Sequence, residues 1–307
     1  MTIRVAKPGL FTTVQDLGCY GYAHLGISPA GAADPLSFRI ANLLVGNDEN
    51  VPALEMTLLG ATLEFEGSAI VALTGASCEC KAGLAPVPIN AAFDLPAGAT
   101  LKCGSMTTGA RCYLSVQGGI PLVMGSASTL VAGHFGGFKG RRLQSGDVLQ
   151  VRQHASYRVR SLRPGALDSL RTPRPLRVTK GPQQEWFGPE AFEKLFSSAY
   201  VVSEQSDRKG LRLKGEAVRP REPSELLTDG IPLGAIQVPQ DGQPIILFVD
   251  QQTTGGYPKI ANVIAADIHR VGQLRPRDEV RFAEVSIAQA VQALGEQERR
   301  LREIFVT

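Results

Sequence analysis

The stretch IILFVDQQTTGGYPKIANV, Ile245 to Val263, opens as an apolar strand and then turns polar. After Ile245 to Val249 come an acid, two amides, two hydroxyls, a glycine pair, a tyrosine, a proline and a lysine, before apolar residues resume. A plain hairpin needs about two to five connecting residues and favours Asn-Gly or Asp-Gly. Hydrophobic burial gives no reason for a longer polar loop, so the stretch reads as a functional loop carried on a β scaffold.

The rest of the chain supports that scaffold. Short β-type runs separated by turn signals recur throughout, with 33 glycines and 20 prolines among 307 residues. Candidate strands are 53–57, 61–65, 70–74, 100–103, 112–116 and 148–151, then 176–179, 200–202, 211–213, 235–238, 245–249 and 279–282. Helices are few. Asp34 caps one that runs to Val45, with Gly46 as its stop, and Gly188 to Phe196 forms a second. The longest, Ser286 to Phe305, is expected to bury a stripe of Ile287, Val291, Leu294, Leu301 and Phe305. An arginine- and proline-rich segment, Arg160 to Pro175, separates two halves, residues 1–160 and 176–307. The halves echo each other: LPAGATLKC, LQSGDVLQV and LRPRDEVRF each set a leucine and a tight turn before a short strand.

Composition excludes several classes of function. A net charge of +3 over this length implies no nucleic-acid or anionic-membrane partner. No apolar run reaches the ~20 residues of a membrane-spanning helix, and the first residues do not read as a signal peptide, so the expected compartment is the cytoplasm. The five cysteines, Cys19, Cys78, Cys80, Cys103 and Cys112, are odd in number and irregular in spacing, which fits reduced thiols. Cys78 and Cys80 would point to one face of a strand. His24, His134, His154 and His269 form no ligand pattern, and no metal is expected.

Four polar stretches stand out. In Thr13 to Pro35, Gln15 and Asp16 leave a strand among glycines at 18, 21, 26 and 31, which permit close backbone approaches. In Ser115 to Leu143, Gln117 and Gly118 lead into Gly125, Ser126, Ser128 and Thr129, whose loop amides can gather about an oxyanion. In Ser203 to Leu213, Arg208 either pairs with Asp207 or offers its planar fork to a carboxylate. In the opening loop, Asp250 and Lys259 are candidate proton-handling groups and Tyr257 a donor. There Gln252, Thr253, Thr254, Gly255 and Gly256 would hold a carbonyl or carboxylate oxygen.

Taken in order, GLFTTVQDLGCYGYAHLGISPAGAADPLSFRIAN, LEMTLLGATLEF, LTGA, GGIPLVMGSAST, GDVLQV, SDRKGLRL, GAIQVPQDGQPIILFVDQQTTGGYPKIANVI and QLRPRDEVRF resemble the biotin-dependent carboxyltransferase family. That family includes allophanate hydrolase subunit 2, the KipI antagonist KipA and the C subunit of 5-oxoprolinase. The resemblance covers about Ile3 to Phe282 and implies two cyclophilin-like β-barrel domains, mainly β, with a few short helices and a C-terminal helix. It implies a carboxyltransferase-type site in the cleft between the halves, with Gln15, Asp16 and Gln117 on the wall facing Gln252, Thr253 and Tyr257. By length the chain resembles the 5-oxoprolinase C subunit, which implies ATP-dependent conversion of 5-oxoproline to L-glutamate. The implied partners are a KipI-like (allophanate hydrolase subunit 1-like) protein, a LamB/YcsF-like subunit and a small amide substrate. A KipA-like regulatory protein and the carboxyltransferase part of a urea carboxylase or allophanate system are the alternatives.

The chain departs from the family pattern at Ala127 and Gln251, where arginine is usual, and at Lys209. Arginine's fork is not replaced by alanine or glutamine. The sequence carries neither an AMKM biotin-attachment site nor a glycine-rich loop ending in an ATP-binding lysine. No cofactor is therefore expected on this chain alone, with ATP used by the complex and biotin, if it is used at all, reaching it on a partner.

Overall fold

A computed structural model describes residues 1–121, 126–152, 158–168, 175–221 and 227–306. Gly125, His154 and part of the expected linker lie outside the described residues. The chain divides into two compact units. One comprises 1–19, 30–167 and 301–307, and the other 20–29 and 168–300.

The first unit is built from β1 (Thr2–Lys7), β2 (Phe11–Gln15), β3 (Ala53–Thr57), β4 (Thr62–Phe65), β5 (Ala69–Ala82), β6 (Ala85–Pro86), β7 (Ala92–Leu95), β8 (Thr100–Val116), β9 (Val148–Gln150) and β10 (Ser161–Leu162). Nine of these strands form one curled, antiparallel sheet in the order β2-β3-β8-β4-β1-β9, with β5 also on β8 and carrying β6 and β7. The runs expected at 100–103 and 112–116 are the two ends of one strand, β8. Its partner β5 is similarly long, and the pair tolerates the polar middle because three register shifts break the alternation between Gly75 and Cys80. The concave side is filled by Ile3, Val5, Leu54, Met56, Leu63, Phe65, Leu73 and Leu114.

Helix α1 (Pro35–Leu44) begins where the sequence says it should, because the Asp34 side chain accepts the Ser37 amide at 2.8 Å and proline occupies the first turn. Its buried Phe38 meets the Tyr113 ring edge-on, 6.0 Å between centroids.

The second unit contains β11 (Leu176–Lys180), β12 (Tyr200–Val202), β13 (Gly210–Lys214), β14 (Asp229–Gly230), β15 (Ala235–Gln237), β16 (Ile245–Leu247), β17 (Thr254–Gly255), β18 (Lys259–Val263), β19 (Glu279–Val280) and β20 (Phe282–Glu284). Eight of them form a sheet in the order β19-β12-β13-β16-β15-β18-β11-β20, antiparallel except for β11 with β20. Strands β14 and β17 form a separate two-stranded ladder. Helix α2 (Pro189–Ser197) buries Ala191 and Leu195, and α3 (Ile268–Val271) follows β18. The fold is thus mainly β, as the alternation predicts.

The last helix, α4 (Ile287–Glu303), corrects the expected stripe. Ile287 and Val291 are 75% and 67% exposed. Of that stripe Leu301 and Phe305 are buried, but over the earlier turns the side that packs runs instead through Ala290, Ala293 and Gln297, and Gln297 donates to the Ala266 carbonyl at 2.9 Å. Small residues and an amide allow close approach that the branched stripe would not, and hydrophobicity alone does not register that preference. Phe305, expected at the helix end, lies in β21 (Phe305–Val306), which pairs with β10. No helix among the described residues is long and apolar enough to cross a membrane.

Candidate functional site

The second unit gathers most of the polar residues singled out in the sequence. Strand β16 ends at Leu247, and Val249 and Asp250 are buried beyond it. There the Asp250 carboxylate meets the Arg208 guanidinium in a two-point fork, Nε to Oδ2 at 2.9 Å and Nη2 to Oδ1 at 3.0 Å. Both side chains are more than nine-tenths buried. A pair so desolvated holds only because each charge neutralises the other. Of the two partners open to Arg208 on sequence grounds, Asp207 or a carboxylate met by its planar fork, the structure shows the second, with Asp250 as the carboxylate. Asp207 caps its own turn by accepting the Lys209 amide at 2.8 Å. Asp250, expected to handle protons, is thereby turned into an anchor for the loop.

Gln251 is also buried. Its amide donates to the Ile231 carbonyl at 3.0 Å, and its backbone carbonyl accepts a short hydrogen bond from the Ser28 hydroxyl. The segment 20–29 is thus tied to the loop within the same unit. Beyond Gln251 the loop opens outward. Gln252, Thr254 and Tyr257 are exposed, and Thr253, Gly255 and Gly256 are half-buried.

Lys259 is the one wholly buried lysine among the described residues, 1% exposed. Its Nζ donates to Asp229 Oδ2 at 2.7 Å, and Gln183 reaches the same oxygen at 3.4 Å. Gln183 in turn accepts the Lys259 backbone amide at 3.1 Å. The backbone is pinned too, since a Cβ at Gly181 would lie 2.2 Å from the Lys259 carbonyl oxygen. Unlike Asp250, which is buried, Asp229 has a half-exposed side chain, at 50%. The Lys259 ammonium, with the Gly230 amide, holds that carboxyl below its usual range. The β14–β17 ladder sets Asp229 opposite Gly255 and Gly230 opposite Thr254. An exposed, fixed carboxylate therefore stands on the short ladder that also carries Thr254 and Gly255 of the loop. Such a surface can accept an N–H and donate to a neighbouring oxygen.

Asp229 was not among the residues singled out from the sequence. Asp-Gly at 229–230 reads as ordinary turn chemistry, and only the pairing of Asp229 with Gly255, 26 positions later, gives it a role. A carboxylate to neutralise the lysine that follows Pro258 was the available signal.

The first unit holds the remaining candidates: Gln15, Asp16, Gln117 and Gly118. Asp16 accepts from Ala127 N and Gly18 N at 2.8 Å each, from Ser126 Oγ at 2.8 Å, and from Ser128 Oγ through a short bond. Gly18 and Gly31 meet so closely that a Cβ at Gly31 would lie 2.9 Å from the Gly18 Cα, the approach the glycines were expected to permit. Gly21 and Gly26 face open space and instead supply positive φ. Gln15 donates to Thr13 Oγ1 and the Thr129 carbonyl, Gln117 to the Val45 carbonyl, and the Gly118 amide to Asn47. These bonds hold loops together, while the buried Gln15 Oε1 has no hydrogen-bond partner among the described residues. Among the described residues no cluster of three or more histidines, cysteines or acids could hold a metal ion.

Against known proteins, residues 25–284 match the family of carboxyltransferase domains, subdomain A and B. The chain is 38% identical to the 5-oxoprolinase C subunit of Escherichia coli strain K12, over 98% of this chain and 97% of that protein. Its counterpart in Haemophilus influenzae is 37% identical over 96% and 93%. Among solved structures, the urea amidolyase of K. lactis superposes with a TM-score of 0.91 at 32% identity, covering 99% of this chain and 20% of that one.

Proposed function

The chain belongs to the carboxyltransferase family of subdomains A and B, and from that footing we propose that it is the C subunit of an ATP-dependent 5-oxoprolinase. The observation that carries this reading is identity over nearly the whole of two C subunits, 38% across 97% of the E. coli protein and 37% across 93% of the H. influenzae one.

In this reading the subunit binds and orients a small cyclic amide. Asp229 accepts the ring N–H, and Thr254, Gln252 and Tyr257 donate to the amide oxygen or carboxylate. Thr253 and the Gly255 and Gly256 amides shape the turn that presents those donors. Lys259 is a positioning residue: buried and paired with Asp229, it keeps that acid charged and in place. Arg208 and Asp250 fix the base of the loop. Gln15, Asp16, Gln117 and Gly118 act on the fold of the first unit and reach substrate only through it.

ATP enters with partner subunits, a KipI-like protein and a LamB/YcsF-like one. The buried lysine of this chain is already committed to Asp229, and the sequence has no phosphate loop ending in lysine. Biotin, where a carboxyl group is to be carried, would likewise arrive on a partner.

A second reading is favoured by the K. lactis likeness: transfer of a carboxyl group to urea, which offers the same N–H and C=O edge to Asp229 and its neighbours. Reconstitution with the two partner subunits separates the readings. ATP-dependent formation of glutamate from 5-oxoproline is the expected result. Consumption of urea with 5-oxoproline untouched would replace the first reading by the second.

A further inference from the structure

Outside the substrate-facing loop, the first unit holds four thiols along the β5–β8 pair. Cys80, Cys103 and Cys112 are buried, and Cys78 is only partly covered. The register shifts on both sides of Cys78 re-aim its side chain, so that Cys78 Sγ and Cys80 Sγ approach to 3.1 Å. We propose that Cys78 and Cys80 form a reversible, peroxide-sensitive dithiol, with Cys78 the reacting sulfur and Cys80 the resolving one.

The chemistry follows from exposure and contact. Cys78 is the one of the four that a small oxidant can reach, and hydrogen bonds from Cys112 and then Cys80 bring its pKa down to about 4, against the opposing effect of burial. Cys80, enclosed and hydrogen-bonded to Cys103 and Cys78, is pushed upward and stays a thiol until an electrophile forms beside it. A hydroperoxide takes the Cys78 sulfur lone pair: the S–O bond forms, the O–O bond breaks, and hydroxide or alkoxide leaves. Cys80 sulfur then attacks the sulfenic sulfur, the S–O bond breaks, and the Cys80 proton departs with the hydroxyl as water. The two sulfurs must close from 3.1 Å to about 2.05 Å. A bridge between residues two apart on one strand is constrained, which makes it readily reducible by a dithiol. Cys103 faces Cys80 across the ladder and is the alternative acceptor.

The test is peptide mapping of the full chain after hydrogen peroxide, unfolding and alkylation. The expected result is a peptide spanning Cys78 and Cys80 that has lost two hydrogens and takes no alkyl label. Cys19, Cys103 and Cys112 should be labelled, and dithiothreitol should restore label at both sites. In Cys80→Ser, dimedone added with the peroxide should mark Cys78. Full labelling of Cys78 and Cys80 at peroxide levels that oxidise Cys19 would overturn the proposal, and so would a bridge from Cys80 to Cys103. The wild-type map alone decides between these outcomes if the variant fails to fold.

Discussion

Two loops in this chain carry an aspartate beside glycines and hydroxyls, and they spend that charge in opposite ways. Asp16 is 1% exposed and receives two backbone amides and two serine hydroxyls. Every lone pair it can offer is used inside the fold. Asp229 receives the buried Lys259 ammonium and the Gln183 amide on one oxygen and the Gly230 amide on the other, yet its side chain stays half exposed. The contrast teaches that an acid in a glycine-rich loop is not itself a mark of a site. What distinguishes the two is whether the partner is buried while the acid is not.

The sharpest way to break the comparison is to disturb the groups assigned to architecture. Asp250→Asn leaves the Arg208 guanidinium buried without its counter-charge, which costs about 3 to 5 kcal/mol. Denaturant midpoints of the wild type and variant should differ accordingly, and an unchanged midpoint would return Asp250 to the set of groups free to act. Asp16→Ala strips one acceptor from four donors in the first unit. Its expected cost is smaller, about 2 to 3 kcal/mol, and appears in Tm. Intact Tm with a fall in kcat/KM would instead make the Asp16 loop the one that meets substrate.

Smaller effects sharpen the other side. Tyr257→Phe removes one exposed donor and should lower kcat/KM about fivefold, on the order of 1 kcal/mol, with Tm unmoved. Lys259→Met replaces the buried member of an ion pair by an apolar chain of similar length, and the acid left behind is half exposed and can be hydrated, so the change in stability is small. It acts on pH dependence instead. Because Lys259 holds the Asp229 carboxyl below its ordinary value, the charged form and its contribution are complete above that ordinary value and are lost as pH falls through the depressed one. Without the ammonium the acid limb of kcat/KM should move to higher pH, and a superimposable limb would detach Lys259 from Asp229.

Much of this is legible in the sequence. Strand β3 and helix α1 are where alternation and the Asp34 cap put them, because short-range physics fixes both. The loop after β16 stands out because its polarity has no burial to explain it. Long-range pairing is what a sequence does not display. The Arg208–Asp250 fork joins residues 42 apart and the Lys259–Asp229 pair residues 30 apart, and neither separation follows any local period. The α4 stripe departs from expectation for a related reason: its packed side is chosen by how closely neighbours approach, and alanine and glutamine carry little hydrophobic signal.

The most direct test is Asp229→Asn in the reconstituted enzyme, read as kcat/KM for 5-oxoproline alongside Tm of the subunit. Losing a hydrogen bond to a charged acceptor should reduce kcat/KM about 10- to 150-fold. Because the substitution also leaves the buried Lys259 ammonium without its counter-charge, Tm falls as well, and kcat/KM is read well below the lowered Tm, where the subunit is fully folded. Unchanged turnover with Asn at 229 would mean that this carboxylate faces solvent and nothing more.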